Sequence, residues 1–369
     1  MKKSLLALAV AAFAASSASA ATVYDQDGTS LAVGGRIQAV VYSQDSNQGG
    51  TPQSGDASLV GSARVNIAMR TQLTDNIAGF AFVEWDAADS DKKKTFDARD
   101  LYVGADFGAF GQFQAGRFRD AVYQGVTSTT DVFDDWGCDG QLGNDDRREG
   151  IMMYSWSGYG VDFKATYQTA KDDVHIDGAW KAGEQVDVKN GYSASLGYTS
   201  PDVLFGPIAV KAGYGYVRFQ DDPATSQATL NRVYDNYSQW AAALSWGTKA
   251  AGPLVAVTYQ ARDFALNGNA DDYTVSGVEA VVGYGFENGV AIRAGWEWMN
   301  IDQDGANGVD IDAYTIPVYV NYQINPNFNV WAEARFDAGT DDGKDSFDGW
   351  TGTTNFEENV YSVGARYTF

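Results

Sequence analysis

The sequence predicts an all-β protein, a 16-stranded antiparallel transmembrane β-barrel, on three observations. Short runs of alternating apolar and polar residues recur along the chain, and about sixteen can be counted, an even number as bacterial barrels require. Their connections alternate between short turns and long acidic segments, as expected for a barrel with turns at one end and loops at the other. The composition, with 41 Gly, 21 Tyr, 19 Phe and only 7 Pro, suits many strands with aromatic belts.

The first twenty residues predict a secretory signal. Lys2 and Lys3 precede an apolar run over 5–15, and the small residues of "ASA" at 18–20 form a cleavage site. We therefore divide the chain into a signal peptide at 1–20 and a barrel at 21–369. After cleavage 24 basic side chains face 48 acidic ones, a formal charge of −24. Such a chain should repel nucleic acid and favour cations in any channel that it forms.

The segment "GVAIRAGWEWMN" shows the alternation of a half-buried strand clearly. Ile292 and Trp296 fall on one face, and Arg293, Glu297 and Met299 fall on the other. A soluble sandwich would bury the first face, whereas a barrel exposes it to lipid and turns the second towards a polar interior.

The connections define the two ends of the barrel. We predict periplasmic turns at 74–76, 157–160, 287–289 and 325–327, and extracellular loops at 86–94, 172–190, 221–236, 301–312 and 340–357. The last strand places Tyr367 and Phe369 on its apolar face and closes the barrel against the first strand.

One stretch, "STTDVFDDWGCDGQLGNDDRR" at 128–148, has neither a strand period nor a helix period. Long segments without regular structure inside a compact domain are usually functional. This stretch is therefore the first candidate for a functional element.

Cysteine and histidine usage argues against catalysis. Cys138 is the only cysteine, so no internal disulfide can form, and His175, in the polar run "KDDVHIDG", is predicted to lie in an exposed loop. These counts exclude zinc clusters built from Cys and His and disfavour any hydrolase that needs a positioned histidine base. We predict no enzymatic activity, no cofactor and no metal site.

Four segments carry a resemblance to a known family: "TVYDQDGTSLAVGGR", "ARVNIAMRTQ", "GRFRDAVY" and the terminal "ARYTF". The mature chain resembles the general, non-specific porins of Gram-negative outer membranes, which are trimers of 16-stranded barrels. The resemblance implies a homotrimer in the outer membrane, surrounded by lipid and lipopolysaccharide. It also implies passive diffusion of small hydrophilic solutes and ions, and a constriction loop at about 119–149 folded into the lumen.

The resemblance also implies a pore constriction with a basic wall and an acidic loop. The basic wall would contain Arg36, Arg64, Arg99 and Arg147, with Arg148 as a competitor for the place of Arg147; the acidic loop would contain Asp131, Asp134, Asp135 and Asp139. Strict alternation would put Asp100, next to Arg99, against lipid or a neighbouring subunit.

Two tryptophans leave an alternative open. Trp331 falls on the polar face of "FNVWAEARF", and Trp136 lies in the loop. Aromatic rings along a lumen are similar to the sugar tracks of saccharide-selective porins, including the chitooligosaccharide type. The other interpretation is that Trp136 anchors the loop and Trp331 packs at the barrel floor. Rivals from other classes are an outer-membrane barrel enzyme and an adhesin.

Overall fold

The computed structural model describes residues 20–43, 57–89, 96–137, 140–144, 146–179, 185–220, 234–267, 271–303, 305, 308–341 and 356–369. The predicted signal peptide lies outside these residues except for Ala20. The strands are β1 Ala21–Gln26, β2 Thr29–Tyr42, β3 Ser58–Gln72, β4 Ala78–Asp89, β5 Asp97–Asp106, β6 Gln112–Phe118, β7 Arg148–Gly158, β8 Val161–Gln168, β9 Lys171–His175, β10 Gln185–Val203, β11 Gly206–Phe219, β12 Tyr234–Gly247, β13 Gly252–Leu266, β14 Tyr273–Gly285, β15 Val290–Gln303, β16 Val309–Asn325, β17 Phe328–Asp337 and β18 Val360–Thr368. Within the described residues, one short helix, α1 Ala121–Gly125, and 3₁₀ turns at Gly108–Phe110 and Thr127–Thr129 complete the elements.

Sixteen strands close into a barrel in which every pairing is antiparallel. Consecutive strands pair around the ring, β8 pairs with β10, and β18 pairs with β2. The two remaining strands are additions: β1 pairs with the first residues of β2, and β9 extends the pairing of β10. The predicted 16-stranded barrel is confirmed. Among the described residues, no helix is long and apolar enough to cross a membrane.

The outer face of the barrel is apolar and carries aromatic rings near both ends. Ile292 is 44% exposed and Trp296 is 42% exposed, whereas Glu297 on the opposite face is 2% exposed, as the alternation predicts. Tyr192 and Tyr198, at two heights on β10, illustrate the two belts. Such girdles mark the levels of the two membrane interfaces.

Glycine allows a tight connection between strands at one end of the barrel. Gly289, between β14 and β15, has φ +87°, and a Cβ there would lie 2.4 Å from the carbonyl oxygen of Gln323. Only glycine fits such a turn without strain. The predicted short turns all lie at this end, and the long segments that the structure describes lie at the other.

Candidate functional site

The segment between β6 and β7, residues 119–147, is called the inner loop; its described residues fold inward and follow the inner wall. It begins with α1, whose N-terminus is capped by the Asp120 carboxylate, which accepts from the Tyr123 N–H at 3.0 Å. The loop is closed at its neck by Arg148, whose guanidinium donates to Asp120 at 3.0 Å. The beginning and the end of the loop are therefore joined by one ion pair.

Small wall residues provide the seat for α1. Ser193 of β10 accepts from the Ala121 N–H at 3.2 Å, and a Cβ on Gly213 of β11 would lie 3.1 Å from Val126. Val122 and Val126 also pack against Ala241 and Ala243 of β12. Larger residues at these wall positions would displace the helix, because buried volume changes of even one methylene are felt.

Beyond the helix the inner loop bonds to successive strands. Thr130 donates to the Glu279 carboxylate of β14 at 2.6 Å and lies 3.1 Å from the Thr258 hydroxyl of β13. Gln141, on the returning segment, also donates to Glu279. Glu279 thus holds the outgoing and the returning halves of the loop together.

The tip of the inner loop is held by one carboxylate. Glu333 of β17 accepts the backbone N–H groups of residues 134–137 at 2.7 to 3.1 Å, two on each oxygen. Successive N–H groups that converge in this way form an anion-binding concavity. The barrel wall supplies the anion here, so the loop backbone binds its own scaffold.

Two loop aspartates bond to the wall beside this anchor. Asp134 accepts from Arg366 at 2.7 Å and from the Tyr319 hydroxyl at 2.6 Å. Asp135 accepts from Trp331 at 2.7 Å and Ser362 at 2.6 Å. Burial alone would raise the pKa of Asp134, but Arg366 and Tyr319 hold that pKa below its ordinary value. Burial raises the pKa of Asp135, because its partners include no cation.

Opposite the loop, strands β2 to β5 present charged side chains to the lumen. Arg36 lies directly across from Arg64 in the β2–β3 register. Arg64 bonds to Asp86 at 2.8 Å, and Arg99 bonds to Glu84 at 3.1 Å and to Asp86 at 3.2 Å. The Asp86 side chain is 39% exposed and that of Arg64 is 27% exposed, so water reaches this wall.

Comparison with known proteins agrees with this geometry. The chain matches the Gram-negative porin family over residues 7–343. The protein is a member of that family. It is 27% identical to the outer membrane porin PhoE of Klebsiella oxytoca over the full length of both chains. The structure of Salmonella typhi OmpF in complex with daunomycin has a TM-score of 0.69, 19% identity, and coverage of 95% of this chain and 100% of that one. OmpT of Vibrio cholerae in its trimer form has a TM-score of 0.64, 17% identity, and coverage of 93% and 100%.

Family membership establishes the coarse function and location. The protein is an outer-membrane porin, a channel protein and not an enzyme.

The structure brings three of the predicted basic residues together. Arg36 interacts electrostatically with Arg64, Arg99, Arg366 and Asp134, so these groups share one region of the lumen. The predicted basic wall did not include Arg366. The alternation of side chains along "GARYTF" nevertheless places Arg366 on the face opposite Tyr367. The sequence prediction also omitted Glu84 and Asp86. The same alternation that turns Arg64 inward would have identified them.

A β-bulge corrects the expected orientation of Asp100. Glu84 pairs with Asp100 and Trp85 pairs with Ala98, so Arg99 is an extra residue in β5. A bulge of this kind interrupts strict alternation. Asp100 therefore faces the lumen and not lipid, and its carboxylate lies 3.5 Å from Arg147 of the inner loop.

Arg147 and Arg148 occupy different environments. Arg147 is 8% exposed and reaches the bulge through Asp100. Arg148 is 2% exposed and bonds to Asp120 and to the Tyr237 hydroxyl at 2.9 Å, so it closes the loop neck. Of the two, Arg147 is nearer to the basic wall.

The acidic residues of the inner loop are mostly bonded to protein groups. Asp134 and Asp135 bond to the wall as described above, and Asp131 accepts from the Tyr123 hydroxyl of the same loop. Asp139 lies outside the described residues. The loop therefore uses two of these carboxylates for attachment.

Both tryptophans are buried at the loop anchor. Trp331 is 2% exposed and packs with Val40 and Tyr319, with the Arg366 guanidinium 4.7 Å from its ring centroid. Trp136 is 7% exposed and meets the Tyr42 ring edge-on at 5.7 Å. Neither ring presents a face to water in this arrangement.

The sequence predicts no metal site, but one group of described residues could offer three metal ligands. Ligand atoms of Asp146, His175 and Asp177 lie within 4.8 Å of one another. Arg262 already lies 3.0 Å from Asp146 and donates to the backbone oxygen of Asp177 at 2.6 Å. The positive charge at this cluster is thus supplied by the protein.

Proposed function

We propose that this porin is a passive diffusion channel for small hydrophilic solutes and ions. The observation that carries the proposal is the partly exposed, charged wall of β2 to β5 facing an inner loop that bonds to the opposite strands. A passage bounded in this way is polar and water-filled, which suits hydrated solutes.

Recording from planar bilayers tests this proposal. The purified protein should produce stable, ohmic current steps in potassium chloride. An adhesin would have a closed lumen, so a correctly folded protein without conductance would contradict the channel function.

We further propose that the channel prefers cations, most strongly at low salt. In the constriction Arg36, Arg64 and Arg99 stand beside Glu84 and Asp86, so the local charges partly cancel. The mature formal charge of −24 then biases the channel, but such long-range fields are screened beyond about 10 Å at 0.1 M salt. An anion-selective porin from Comamonas acidovorans, at 13% identity and TM-score 0.64, indicates that the fold alone does not determine this sign.

Reversal potentials across salt gradients test the preference. We expect cation selectivity in dilute potassium chloride that weakens as the salt concentration rises. Asp86→Asn should shift the reversal potential towards anions, because it leaves Arg64 and Arg99 less compensated. Asp172→Asn, at an exposed position in β9, removes the same charge and should have a smaller effect. An equal shift in both variants would contradict a local role for Asp86.

The saccharide-selective alternative requires aromatic rings that a sugar can reach. Burial of Trp136 and Trp331 at the loop anchor supports the anchoring role for both. Block of the current by micromolar oligosaccharide, relieved in Trp136→Ala, would favour the sugar channel instead.

We propose a homotrimer whose subunits meet at the outer face of β2 to β5. Most residues on this face are aliphatic or small. They include Ile37, Leu59, Gly61, Ala81 and Val103, which are turned outward. An apolar groove of about 630 Å³ lies on the same face. The V. cholerae OmpT trimer supports this assembly.

We also propose that the signal peptide is cleaved after Ala20, at the small-residue site of the sequence.

A further inference from the structure

A second apolar region fills part of the lumen at the long-loop end. Leu142 of the inner loop and Val174, Ile176 and Ala179 of the segment after β8 pack against inward-facing side chains of β10 to β16. Every buried member of this cluster is 0 to 6% exposed. We call the packed residues 174–179, which begin at the end of β9, the second inner loop.

The burial of this apolar cluster contrasts with the exposure of the charged wall of β2 to β5. Side chains of Arg99 and Asp86 keep 18% and 39% of their surface exposed. Phe264 and Tyr273, on the opposite wall, keep 1% and 2%. A porin lumen is polar and water-filled where it is open. The β10 to β16 side is therefore occupied by protein at this level.

A single aspartate joins the two inner loops. Asp177 accepts from the Gly143 N–H at 2.7 Å, and its own N–H donates to Asp146 at 2.6 Å. His175 bonds to the Asp177 carboxylate at 2.9 Å. Arg262 of β13 ties both loops to the wall, through Asp146 and through the Asp177 carbonyl.

Aromatic residues hold the second inner loop from the wall side. The Tyr273 hydroxyl donates to the Gly178 carbonyl at 2.6 Å, and its ring stacks on Phe264 with centroids 4.9 Å apart. Gly178 has φ +87°, and a Cβ there would lie 3.0 Å from Phe264. The close approach of backbone to ring thus depends on glycine.

We propose that the second inner loop is a size-determining barrier of this channel, which closes the β10 to β16 side of the lumen and confines solutes to the arginine wall. The inference rests on the proposed diffusion channel. It predicts that the exclusion limit is set jointly by both inner loops, because Asp177 makes them one unit. The solutes excluded are bulky hydrophilic molecules of any charge, since the barrier is apolar and packed.

Neutral polyethylene glycols of graded size, added during bilayer recording, test the barrier independently of charge. Asp177→Ala removes the carboxylate that accepts from Gly143 and bonds to His175, and leaves the backbone bonds to Asp146 and Arg262. We expect conductance to rise by roughly 1.5-fold to twofold because more lumen opens to water. Larger polymers should then enter and lower the current. Asp172→Ala is the matched control in β9, just before the second inner loop, where the carboxylate is exposed and bonds to Gln220, and it should match the unaltered protein.

A second variant keeps the test decisive if Asp177→Ala fails to fold. Residues 174–179 are replaced by alternating Gly and Ser, and heat-modifiable gel migration confirms that the barrel has formed. Unchanged conductance and polymer exclusion in the folded variants would overturn the barrier. Absence of current in the unaltered protein would instead contradict the proposed diffusion function, so the two failures are distinguishable.

Discussion

At the scale of single residues, Glu333 is the side chain on which the inner loop depends most. Its carboxylate accepts four backbone N–H groups, and it is 3% exposed. Hydrogen bonds to a charged group contribute about 1.5 to 3 kcal/mol each, and buried groups left unsatisfied cost a comparable amount. An amide cannot replace this carboxylate, because its NH₂ group would face two N–H donors.

Glu333→Gln should therefore loosen the loop tip, weakening its attachment by about 2 to 3 kcal/mol. We expect larger open-channel current fluctuations and closure at lower voltage in bilayer recordings. Glu297→Gln is the matched control, a buried luminal glutamate on β15 that accepts from Thr315 at 2.8 Å. Equal noise in the two variants would mean that loss of a buried charge, and not loss of the anchor, disturbs the channel.

At the scale of elements, the strands could be predicted from the sequence, and the paths of the loops could not. Period-two alternation correctly turned Trp331, Glu333 and Arg335 inward, because each strand's faces follow from its own residues. It failed at Asp100, since a bulge depends on pairing with the neighbouring strand.

The second inner loop shows why loop paths could not be predicted. The polar run "KDDVHIDG" predicts exposure, yet Ile176 is fully buried and His175 is 31% exposed. Its apolar partners, such as Leu142 and Phe264, come from distant parts of the chain. No local pattern reports such contacts, because burial of a loop depends on the tertiary structure around it.

The turn between β12 and β13 supports the inner loop from the short-turn end. The Lys249 ammonium donates to the carbonyls of Ser128 at 2.6 Å and Asp131 at 2.8 Å. Arg293 of β15 donates to the Val132 carbonyl and, at 3.1 Å, to that of Lys249. A turn and a strand thus hold the outgoing half of the loop through backbone atoms.

Lys249→Met should release this support, because methionine keeps the length of the side chain and removes its donors. We expect conductance to fluctuate between sublevels in bilayer recordings, while Lys249→Arg restores a quiet channel. Lys171→Met removes the same charge at an exposed ion pair with Glu149 and serves as the control. Sublevels in Lys171→Met as well would indicate a general charge effect.

At the scale of the whole molecule, the outer surface is asymmetric. Strands such as β10 and β12 carry belt aromatics, including Tyr192 and Trp240, whereas β2 and β3 present Ile37, Leu59 and Gly61. Amphipathic rings suit a lipid interface, and small aliphatic residues allow close approach of another surface. The two surfaces therefore suit lipid and a neighbouring subunit respectively.

Gly61→Trp should block assembly of the proposed trimer without disturbing the barrel, because a Cβ at Gly61 meets no described atom within 4 Å. The added indole would occupy the space that the neighbouring subunit needs. We expect monomers on gels run without heating and single current steps in place of groups of three. Ala242→Trp, at an outward position on β12, adds the same ring on the lipid side and should leave the trimer intact. Trimers in Gly61→Trp would show that the subunits meet elsewhere, and monomers in Ala242→Trp would place the interface on the belt side.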